Sequence, residues 1–222
     1  KGPRFSAIAE LLSPGTLLFG GKLPAEWKRE AEAHGLAVTD YAEDPLFQLK
    51  NATPTVEGAL LLALEELPCT LWGSRVAVSG YGRIASLLAD RLRSMGARTL
   101  VLARREESLT EARARGHETM RLINGQPIGL PGDCRAVFNT VPYPIFDCAS
   151  AERFPPACVY IELASLPGGI DLGAAKDCGI RTVRGGGLPG RCFPESAGRI
   201  VAETVLAHFP ASNGENGKEE AI

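Results

Sequence analysis

The residues with the clearest chemical potential form a glycine-rich turn. Gly80, Gly82 and Ala85 are spaced as Gly-x-Gly-x-x-Ala and follow the apolar run Val76–Ser79. The first glycine permits a sharp turn, the second lets a pyrophosphate approach the backbone, and the small third residue brings a helix close to the strand. The N-terminus of that helix then faces the phosphates. A glycine turn in a ligand-free sheet is the alternative. The residues predicted to bind a dinucleotide here are Gly80, Tyr81, Gly82, Arg83 and Ile84.

Two arginines follow the next predicted strand, Thr99–Leu102. This strand usually ends in Asp or Glu when the ribose of the dinucleotide carries free hydroxyls. Here the chain continues as Ala103-Arg104-Arg105, with no carboxylate at that point. Guanidinium groups bind phosphate through planar, forked hydrogen bonds. The pattern predicts a 2′-phosphate, and hence NADP rather than NAD, bound at Ala103, Arg104 and Arg105. A solvated arginine pair at a strand end is the alternative.

Three further turns rich in Gly or Pro follow later strands. They are Asn139–Pro142, Leu163–Gly169 and Gly185–Gly190. Because the carboxyl ends of parallel strands meet at one edge of a sheet, these turns should line one crevice. Ordinary turn chemistry explains each of them singly, whereas three on one rim indicate a shaped cleft.

We expect the nicotinamide and the substrate to share this cleft. The residues expected beside the nicotinamide are Asn139, Thr140, Val141, Pro142, Leu163 and Ala164. Those expected around the substrate are Thr53, Thr55, Glu57, Ser165, Gly168, Gly187, Leu188 and Pro189. Backbone N–H groups of glycine turns can bind carboxylates without a side-chain cation. The polar candidates for acid–base chemistry are Glu57, Tyr143, Asp171 and Lys176, but a helix-capping role explains Glu57 at least as well, and we assign no catalytic residue.

The elements that position these turns alternate between strand and helix. After a short N-terminal α/β segment, strands are predicted at Arg75–Ser79, Thr99–Leu102, Glu118–Leu122, Ala136–Asn139, Val159–Leu163 and Arg181–Val183. Helices are predicted at Arg83–Met95, Glu106–Arg115, Ile145–Glu152, Gly173–Cys178 and Pro194–His208. This alternation predicts a parallel sheet with right-handed crossovers. The fold class is therefore α/β: a Rossmann-type doubly wound parallel sheet plus a partial N-terminal α/β lobe, joined by a buried inter-lobe helix.

The inter-lobe helix is predicted from Pro54 to Leu67, with Thr53 as its cap. Its body is apolar nearly all round, which favours burial between two lobes. The predicted organisation is a substrate-side lobe at 1–53, the inter-lobe helix and a linker at 54–72, an NADP-binding domain at 73–193, a C-terminal helix at 194–209 and a disordered tail at 210–222.

Composition excludes several other classes of protein. The chain has 222 residues, 45% of them hydrophobic, and a net charge of −2, so nothing suggests nucleic acid or a membrane surface as a partner. There is no long apolar stretch, and we expect a cytoplasmic protein without a signal peptide. The first residue is Lys rather than Met, so we expect the chain to begin inside a longer protein.

The cysteines and histidines suggest no metal site. The six cysteines are scattered without a Cys-x-x-Cys pair, and we interpret them as small buried hydrophobic residues rather than disulfide partners or metal ligands. His34, His117 and His208 are isolated, which is typical of surface or packing residues.

Several strings along the chain occur in an order and spacing that resemble the A-type subunit of dipicolinate synthase. They are NATPTVEGA (51–59), VAVSGYGRIA (76–85), FNTVP (138–142), LASLPGG (163–169), GLPG (187–190) and PESAG (194–198). The resemblance covers about residues 10 to 209 and implies that an N-terminal part of the family's first lobe is lacking. It also implies an NADP-dependent oxidoreductase that forms dipicolinate from a dihydro- or hydroxytetrahydrodipicolinate precursor, a cyclic imino dicarboxylate. The implied partners are further copies in a homo- or hetero-oligomer and a flavoprotein-like B-type subunit.

Two residues depart from the pattern of that family. A basic residue is usual where Leu166 stands, and a Lys where Glu195 stands. Both changes remove positive charge from a rim expected to bind a dianion, although Arg83, Arg184 and Arg191 could compensate. Two alternatives therefore stay open. One is a shikimate- or alanine-dehydrogenase-like oxidoreductase acting on another small acid, and the other is a non-catalytic NADP-binding subunit.

Overall fold

The computed structural model describes residues 5–209, without the side chains of Ser6, Ala7, Leu172 and Ala174, and the predicted tail at 210–222 lies outside the described residues. The strands are β1 Leu17–Gly20, β2 Ala37–Asp40, β3 Arg75–Ser79, β4 Arg98–Ala103, β5 Glu118–Arg121, β6 Cys134–Asn139, β7 Val159–Glu162 and β8 Arg181–Arg184. The helices are α1 Phe5–Ala9, α2 Ala25–Ala33, α3 Pro45–Glu66, α4 Arg83–Ser94, α5 Glu106–Ala114, α6 Cys148–Ala151, α7 Leu172–Asp177, α8 Leu188–Cys192 and α9 Pro194–Ala207.

The larger of two compact units, residues 49–197, is built on a six-stranded parallel sheet. The strand order is β5-β4-β3-β6-β7-β8, so the chain starts at β3 in the middle and winds outward in both directions. All residues of β7 are buried, as expected for a parallel strand that is covered on both faces. The order reverses between β3 and β6, and a ligand crevice opens at such a point, outside the carboxyl ends of the strands. The predicted Rossmann-type doubly wound sheet is confirmed.

Two hydrophobic clusters cover the two faces of this sheet. On one face, Leu88 of α4 belongs to the cluster that contains Val78 of β3. On the other face, the rings of Phe146, Phe154 and Tyr160 pack at centroid distances of 5.3, 5.8 and 6.4 Å. Burying one such side chain contributes about 1.5–3 kcal/mol to folding. The sheet is therefore a well-packed base from which the turns at its carboxyl edge project.

The smaller unit contains residues 5–48 and 198–209 of the described chain. Its strands β1 and β2 pair in parallel. Phe5, Ala9, Ala31 and Leu36 form its buried cluster. This unit has the α/β character that the sequence predicts for the first part of the chain.

The long apolar helix begins earlier than the sequence suggests. α3 starts at Pro45, where the Asp44 carboxylate accepts a hydrogen bond of 2.6 Å from the Phe47 N–H. The prediction that Thr53 caps the helix is wrong, and Pro54 lies inside it. A proline is typical of a first helical turn, which is why the helix start was misplaced. Tertiary packing tolerates the one backbone hydrogen bond that Pro54 cannot donate.

Only part of the surface of this helix is buried. In its part from residue 49 onward, Val56, Ala59 and Ala63 are buried against the sheet cluster. Leu61 and Leu64 are exposed on the same helix. One face of α3 therefore packs against the sheet of the larger unit, and another face carries apolar side chains into solvent.

The cysteines are divided between the core and the surface. Cys134 and Cys158 are buried, as predicted, but Cys69, Cys148 and Cys178 are exposed, which corrects the interpretation of all six as core residues. In residues 5–209, no group of three or more His, Cys, Asp or Glu side chains is arranged as metal ligands would be. No helix in that range has the length and apolarity needed to cross a bilayer.

Candidate functional site

A row of polar side chains crosses the sheet at its carboxyl edge. Ser79 ends β3, Asn139 ends β6 and Glu162 ends β7, and the strand registers place Ser79 beside Asn139 and Asn139 beside Glu162. All three residues are buried. Burying polar groups is costly unless they are hydrogen-bonded. This row therefore requires partners within the protein.

The carboxylate of Glu162, a residue that is 1% exposed, accepts hydrogen bonds on both oxygens. Its Oε1 accepts from Asn139 Nδ2 (2.7 Å) and from the Ala164 N–H (2.9 Å). Its Oε2 accepts from the Tyr160 hydroxyl (3.0 Å) and from the Gly169 N–H (2.8 Å). Burial, reinforced by the neighbouring negative charge of Glu162, raises the pKa of Tyr160 well above its usual range, so this hydroxyl remains a donor. Two donors on each oxygen compensate the burial of the charge.

The Asn139 amide connects this carboxylate to the neighbouring turns. Asn139 Nδ2 also donates to the Val141 carbonyl (2.9 Å), and Asn139 Oδ1 accepts from the Val141 N–H (3.1 Å) and the Ser79 hydroxyl (2.7 Å). The Thr140 hydroxyl donates to the Ser79 carbonyl (2.8 Å). The turn after β6 is thereby fixed through both backbone groups of Val141. Most of the residues predicted to lie beside the nicotinamide belong to this turn.

The predicted glycine turn joins β3 to α4. Gly80 has a φ of +92°, and a Cβ there would lie 2.5 Å from Thr140 Oγ1, so the position requires glycine. Gly82 is extended (φ −88°, ψ −169°), and a Cβ there would meet no atom within 4 Å. Gly82 is also the N-cap of α4, without a side-chain cap. Open space before an uncapped helix N-terminus fits a pyrophosphate.

A cavity of about 170 Å³ adjoins this turn. It brings together seven of the fourteen predicted cofactor residues: Gly80–Gly82, Ala103–Arg105 and Val141 line it. The other seven are not among the described residues that line either this cavity or the larger one beside it: Arg83, Ile84, Asn139, Thr140, Pro142, Leu163 and Ala164. Arg104 and Arg105 are exposed, and none of the described residues in the cavity wall is acidic. The donor set at the end of β4 therefore fits a phosphate better than a ribose diol.

A larger cavity of about 580 Å³ lies next to the first and shares Arg104, Leu122 and Ile145 with it. This volume is typical of small-molecule sites. Two of the acid–base candidates, Tyr143 and Asp171, line the larger cavity. The other two candidates, Glu57 on α3 and Lys176 on α7, are exposed and are not among the described residues that line either cavity.

Part of the predicted substrate set lies where α3 and α8 pack together. Leu188 is buried, and a Cβ on Gly58 would lie 2.8 Å from its Cβ, so glycine allows the close approach. Gly187 caps α8 in the left-handed conformation, with a φ of +66°. None of the predicted substrate residues is among the described residues that line the two cavities: Thr53, Thr55, Glu57, Ser165, Gly168, Gly187, Leu188 and Pro189.

The turn after β7 presents an exposed tip. Leu166 is 74% exposed, and Ser165 beside it is also exposed. The Gly168 N–H donates to the Ser165 carbonyl (3.0 Å), and the Gly169 N–H donates to Glu162. These glycine amides are therefore occupied by the fold itself, contrary to the expectation that they would bind a carboxylate. The N–H groups of Ser165 and Leu166 donate to no protein group in the described part of the chain.

Sequence reasoning missed three residues of this site: Ser79, Tyr160 and Glu162. A signal was present in β7, which reads Val-Tyr-Ile-Glu. An acidic residue at the end of an otherwise apolar central strand is buried with that strand, and a buried carboxylate needs several donors. The sequence does not identify these donors, because Asn139 lies 23 residues away on another strand and the Gly169 N–H reaches the carboxylate only through the folded turn after β7.

Comparisons with known proteins agree with this architecture. No family model matches the chain. The chain is 32% identical over 168 residues to the A-type subunit of dipicolinate synthase of Bacillus subtilis (strain 168), and the alignment covers 76% of this chain and 56% of that protein. The chain thus spans little more than half the length of this curated relative.

Solved structures of the same kind of subunit resemble the chain in fold. The A-type subunit of dipicolinate synthase from Bacillus halodurans superimposes with a TM-score of 0.81 at 25% identity, covering 95% of this chain and 72% of that one. Its counterpart from Bacillus subtilis gives a TM-score of 0.78 at 29% identity, covering 86% and 64%. A transhydrogenase from Sinorhizobium meliloti shares the fold, with a TM-score of 0.70 at 15% identity, covering 92% and 70%. The predicted resemblance to this component of dipicolinate synthase is confirmed in sequence and in fold.

Replacing Gly82 tests the pyrophosphate site. Because a Cβ at Gly82 meets no protein atom within 4 Å, we expect Gly82→Val to fold normally. The branched side chain would occupy the space that the phosphates must enter. Binding of NADPH, measured by calorimetry, should be lost, while the circular dichroism spectrum stays that of the wild type.

Gly80→Val is the contrasting variant. Its positive φ and the proximity of Thr140 should lower the melting temperature even without ligand. Unchanged NADPH affinity in folded Gly82→Val protein would refute the assignment of the site.

Because of Arg104 and Arg105, we expect the protein to bind NADP more tightly than NAD. Losing a hydrogen bond to a charged group costs about 1.5–3 kcal/mol, or about tenfold to over a hundredfold in affinity. Replacing Arg104 and Arg105 together by Ala should remove most of the preference and leave NAD affinity nearly unchanged. Arg121→Ala is the matched control, since Arg121 is exposed, pairs with Glu106 (3.4 Å) and lines neither cavity. A wild type that prefers NAD would contradict this interpretation.

Proposed function

We propose that this chain belongs to the family of the A-type subunit of dipicolinate synthase and is an NADP-dependent oxidoreductase. Its substrate would be a cyclic imino dicarboxylate, a dihydro- or hydroxytetrahydrodipicolinate, and its product dipicolinate. The observation that carries the proposal is the crevice where the strand order reverses. There an open, uncapped helix start at Gly82 adjoins a cavity with Arg104 and Arg105 in its wall. The sequence similarity to the Bacillus subtilis protein supports the choice of family.

Each part of the chain would have a separate task in binding the cofactor. The N-terminus of α4 would bind the pyrophosphate, and Arg104 and Arg105 would bind the 2′-phosphate. The turn that starts at Asn139 would hold the nicotinamide at the carboxyl ends of β3 and β6. When bound, NADP accepts a hydride from the substrate, and the protein supplies orientation.

The protein would bind the substrate carboxylates at the exposed rim of the sheet edge. The Ser165 and Leu166 N–H groups donate to no protein group in the described chain and could serve this purpose. Arg184 and Arg191 are exposed and could supply positive charge. From a dihydro precursor, forming the aromatic ring requires loss of a hydride from one ring carbon and of a proton from its neighbour. A hydroxytetrahydro precursor must lose a water molecule as well. Because aromatisation drives this step, a strong base is not required, and we assign no catalytic residue.

The chemistry and the partner proteins would follow those of the family. The proposal includes a homo- or hetero-oligomeric assembly, a cytoplasmic location and a flavoprotein-like B-type subunit. The name of the similar protein, a subunit of a synthase, supports the presence of a partner subunit. The flavoprotein-like character of that subunit and the cytoplasmic location follow only from the sequence resemblance.

One observation favours a different small acid as substrate. The exposed tip of the turn after β7 carries the apolar Leu166, where the family usually has a basic residue. A dianion would bind less tightly beside this leucine than beside a guanidinium group, because it would lack a charge-assisted hydrogen bond. An oxidoreductase of the shikimate or alanine dehydrogenase type is therefore the second candidate.

Introducing the missing charge tests the substrate class. Because Leu166 is 74% exposed, Leu166→Arg should fold without strain. If the rim binds a dicarboxylate, the new guanidinium should tighten dipicolinate binding by about tenfold or more, since a hydrogen bond to a charged group contributes about 1.5–3 kcal/mol. Competition calorimetry with dipicolinate and the monocarboxylate picolinate, in the presence of NADP, measures the difference.

Leu64→Arg is the control, because it adds the same charge at an exposed leucine of α3. It should leave dipicolinate affinity unchanged. Negligible dipicolinate binding by both the wild type and Leu166→Arg would contradict a dicarboxylate site and favour another acid or a non-catalytic role.

A further inference from the structure

We propose that Glu162 is the positioning residue of the nicotinamide half of the crevice, an inference that rests on the proposed function. Glu162 lies at the buried end of β7 and is 1% exposed, so it is not a group that meets substrate or cofactor. Its carboxylate holds the turn after β7 through the Ala164 and Gly169 N–H groups. Through Asn139 it also holds the turn after β6.

The position specifically requires a carboxylate. Each oxygen of Glu162 faces two donors, and only a carboxylate offers two oxygens that are both acceptors. In a glutamine at this position, the NH₂ group, itself a donor, would replace one oxygen and would face the two donors of that oxygen. The Tyr160 hydroxyl can rotate to accept, but a backbone N–H cannot, so at least one donor among Asn139 Nδ2 and the Ala164 and Gly169 N–H groups would lose its partner. A buried donor without a partner destabilises the local arrangement.

The effect should be confined to one half of the cofactor. Neighbouring strands lie about 4.8 Å apart, and three steps separate β7 from β4, so the arginine pair lies roughly 14 Å from Glu162 across the sheet. The Arg105 guanidinium donates instead to the Ser108 hydroxyl of α5 (3.4 Å). Val141 of the turn after β6 also lines the cavity that contains the arginines, but the groups expected to hold the phosphates, Gly82, Arg104 and Arg105, lie on the connections after β3 and β4. Loosening the turns after β6 and β7 should therefore disturb mainly the nicotinamide.

The glycines of the turn after β7 support this role. A Cβ at Gly168 would lie 2.7 Å from Glu162 Oε2, and one at Gly169 would lie 2.7 Å from the Tyr160 hydroxyl oxygen. The Gly169 carbonyl in turn accepts from the N–H groups of Ile145 and Phe146, each at 2.9 Å. The turn is thus packed directly onto the carboxylate network.

The test compares NADPH with adenosine 2′,5′-bisphosphate, a probe that lacks the nicotinamide half. In Glu162→Gln we expect NADPH affinity to fall by about tenfold or more. Affinity for the bisphosphate should match the wild type. The fluorescence of bound NADPH reports the surroundings of the reduced ring and should shift toward that of the free cofactor. Glu118→Gln, the same substitution at an exposed glutamate that starts β5, is the matched control.

Tyr160→Phe is the second variant, for the case in which Glu162→Gln does not fold. It removes one donor from the carboxylate at nearly constant volume and should weaken NADPH binding severalfold, again without changing bisphosphate binding. Wild-type NADPH affinity in folded variants, or an equal loss of both ligands, would overturn the positioning role. A wild type that binds neither ligand would instead overturn the proposed function, and this inference with it.

Discussion

The site depends on one buried charge that the fold must satisfy. The Glu162 carboxylate lies at the end of a strand covered on both faces, out of reach of water. Its donors include groups from segments that also form the crevice: Asn139 at the end of β6, and the amides of Ala164 and Gly169 after β7. Leaving any of these groups unpaired is unfavourable in a low-dielectric interior. The requirement to pair the charge therefore also fixes the shape of the rim.

The parallel sheet makes this arrangement possible. Strand register brings Ser79, Asn139 and Glu162 side by side, although they lie in separate parts of the sequence. Hydrophobic clusters on both faces hold that register, because a shift by one residue would turn each buried side chain to the opposite face. The glycine turn at Gly80 joins the same edge through Thr140. Packing, register and the polar row thus support one geometry.

The sequence alone was sufficient where the signals were local. Strand–turn–helix patterning located the glycine turn, and the absence of a carboxylate after β4 drew attention to Arg104 and Arg105. Local sequence patterns gave wrong or incomplete predictions where tertiary packing determines a helix boundary or a hydrogen-bond partner. Pro54 resembled a helix start but lies inside α3. One partner of Glu162, Asn139, lies on a different strand, 23 residues away in the chain. The intramolecular hydrogen bonds of Gly168 and Gly169 become evident only when the turn after β7 is folded onto the sheet.

The most direct test of the account is a crystal structure of the chain with NADP. We predict the pyrophosphate at the N-terminus of α4 beside Gly82, the 2′-phosphate against Arg104 and Arg105, and the nicotinamide against the turn that begins at Asn139. Glu162 should keep its hydrogen bonds to both turns. Density for NADP elsewhere on the molecule, or a ribose end directed away from the two arginines, would contradict the account.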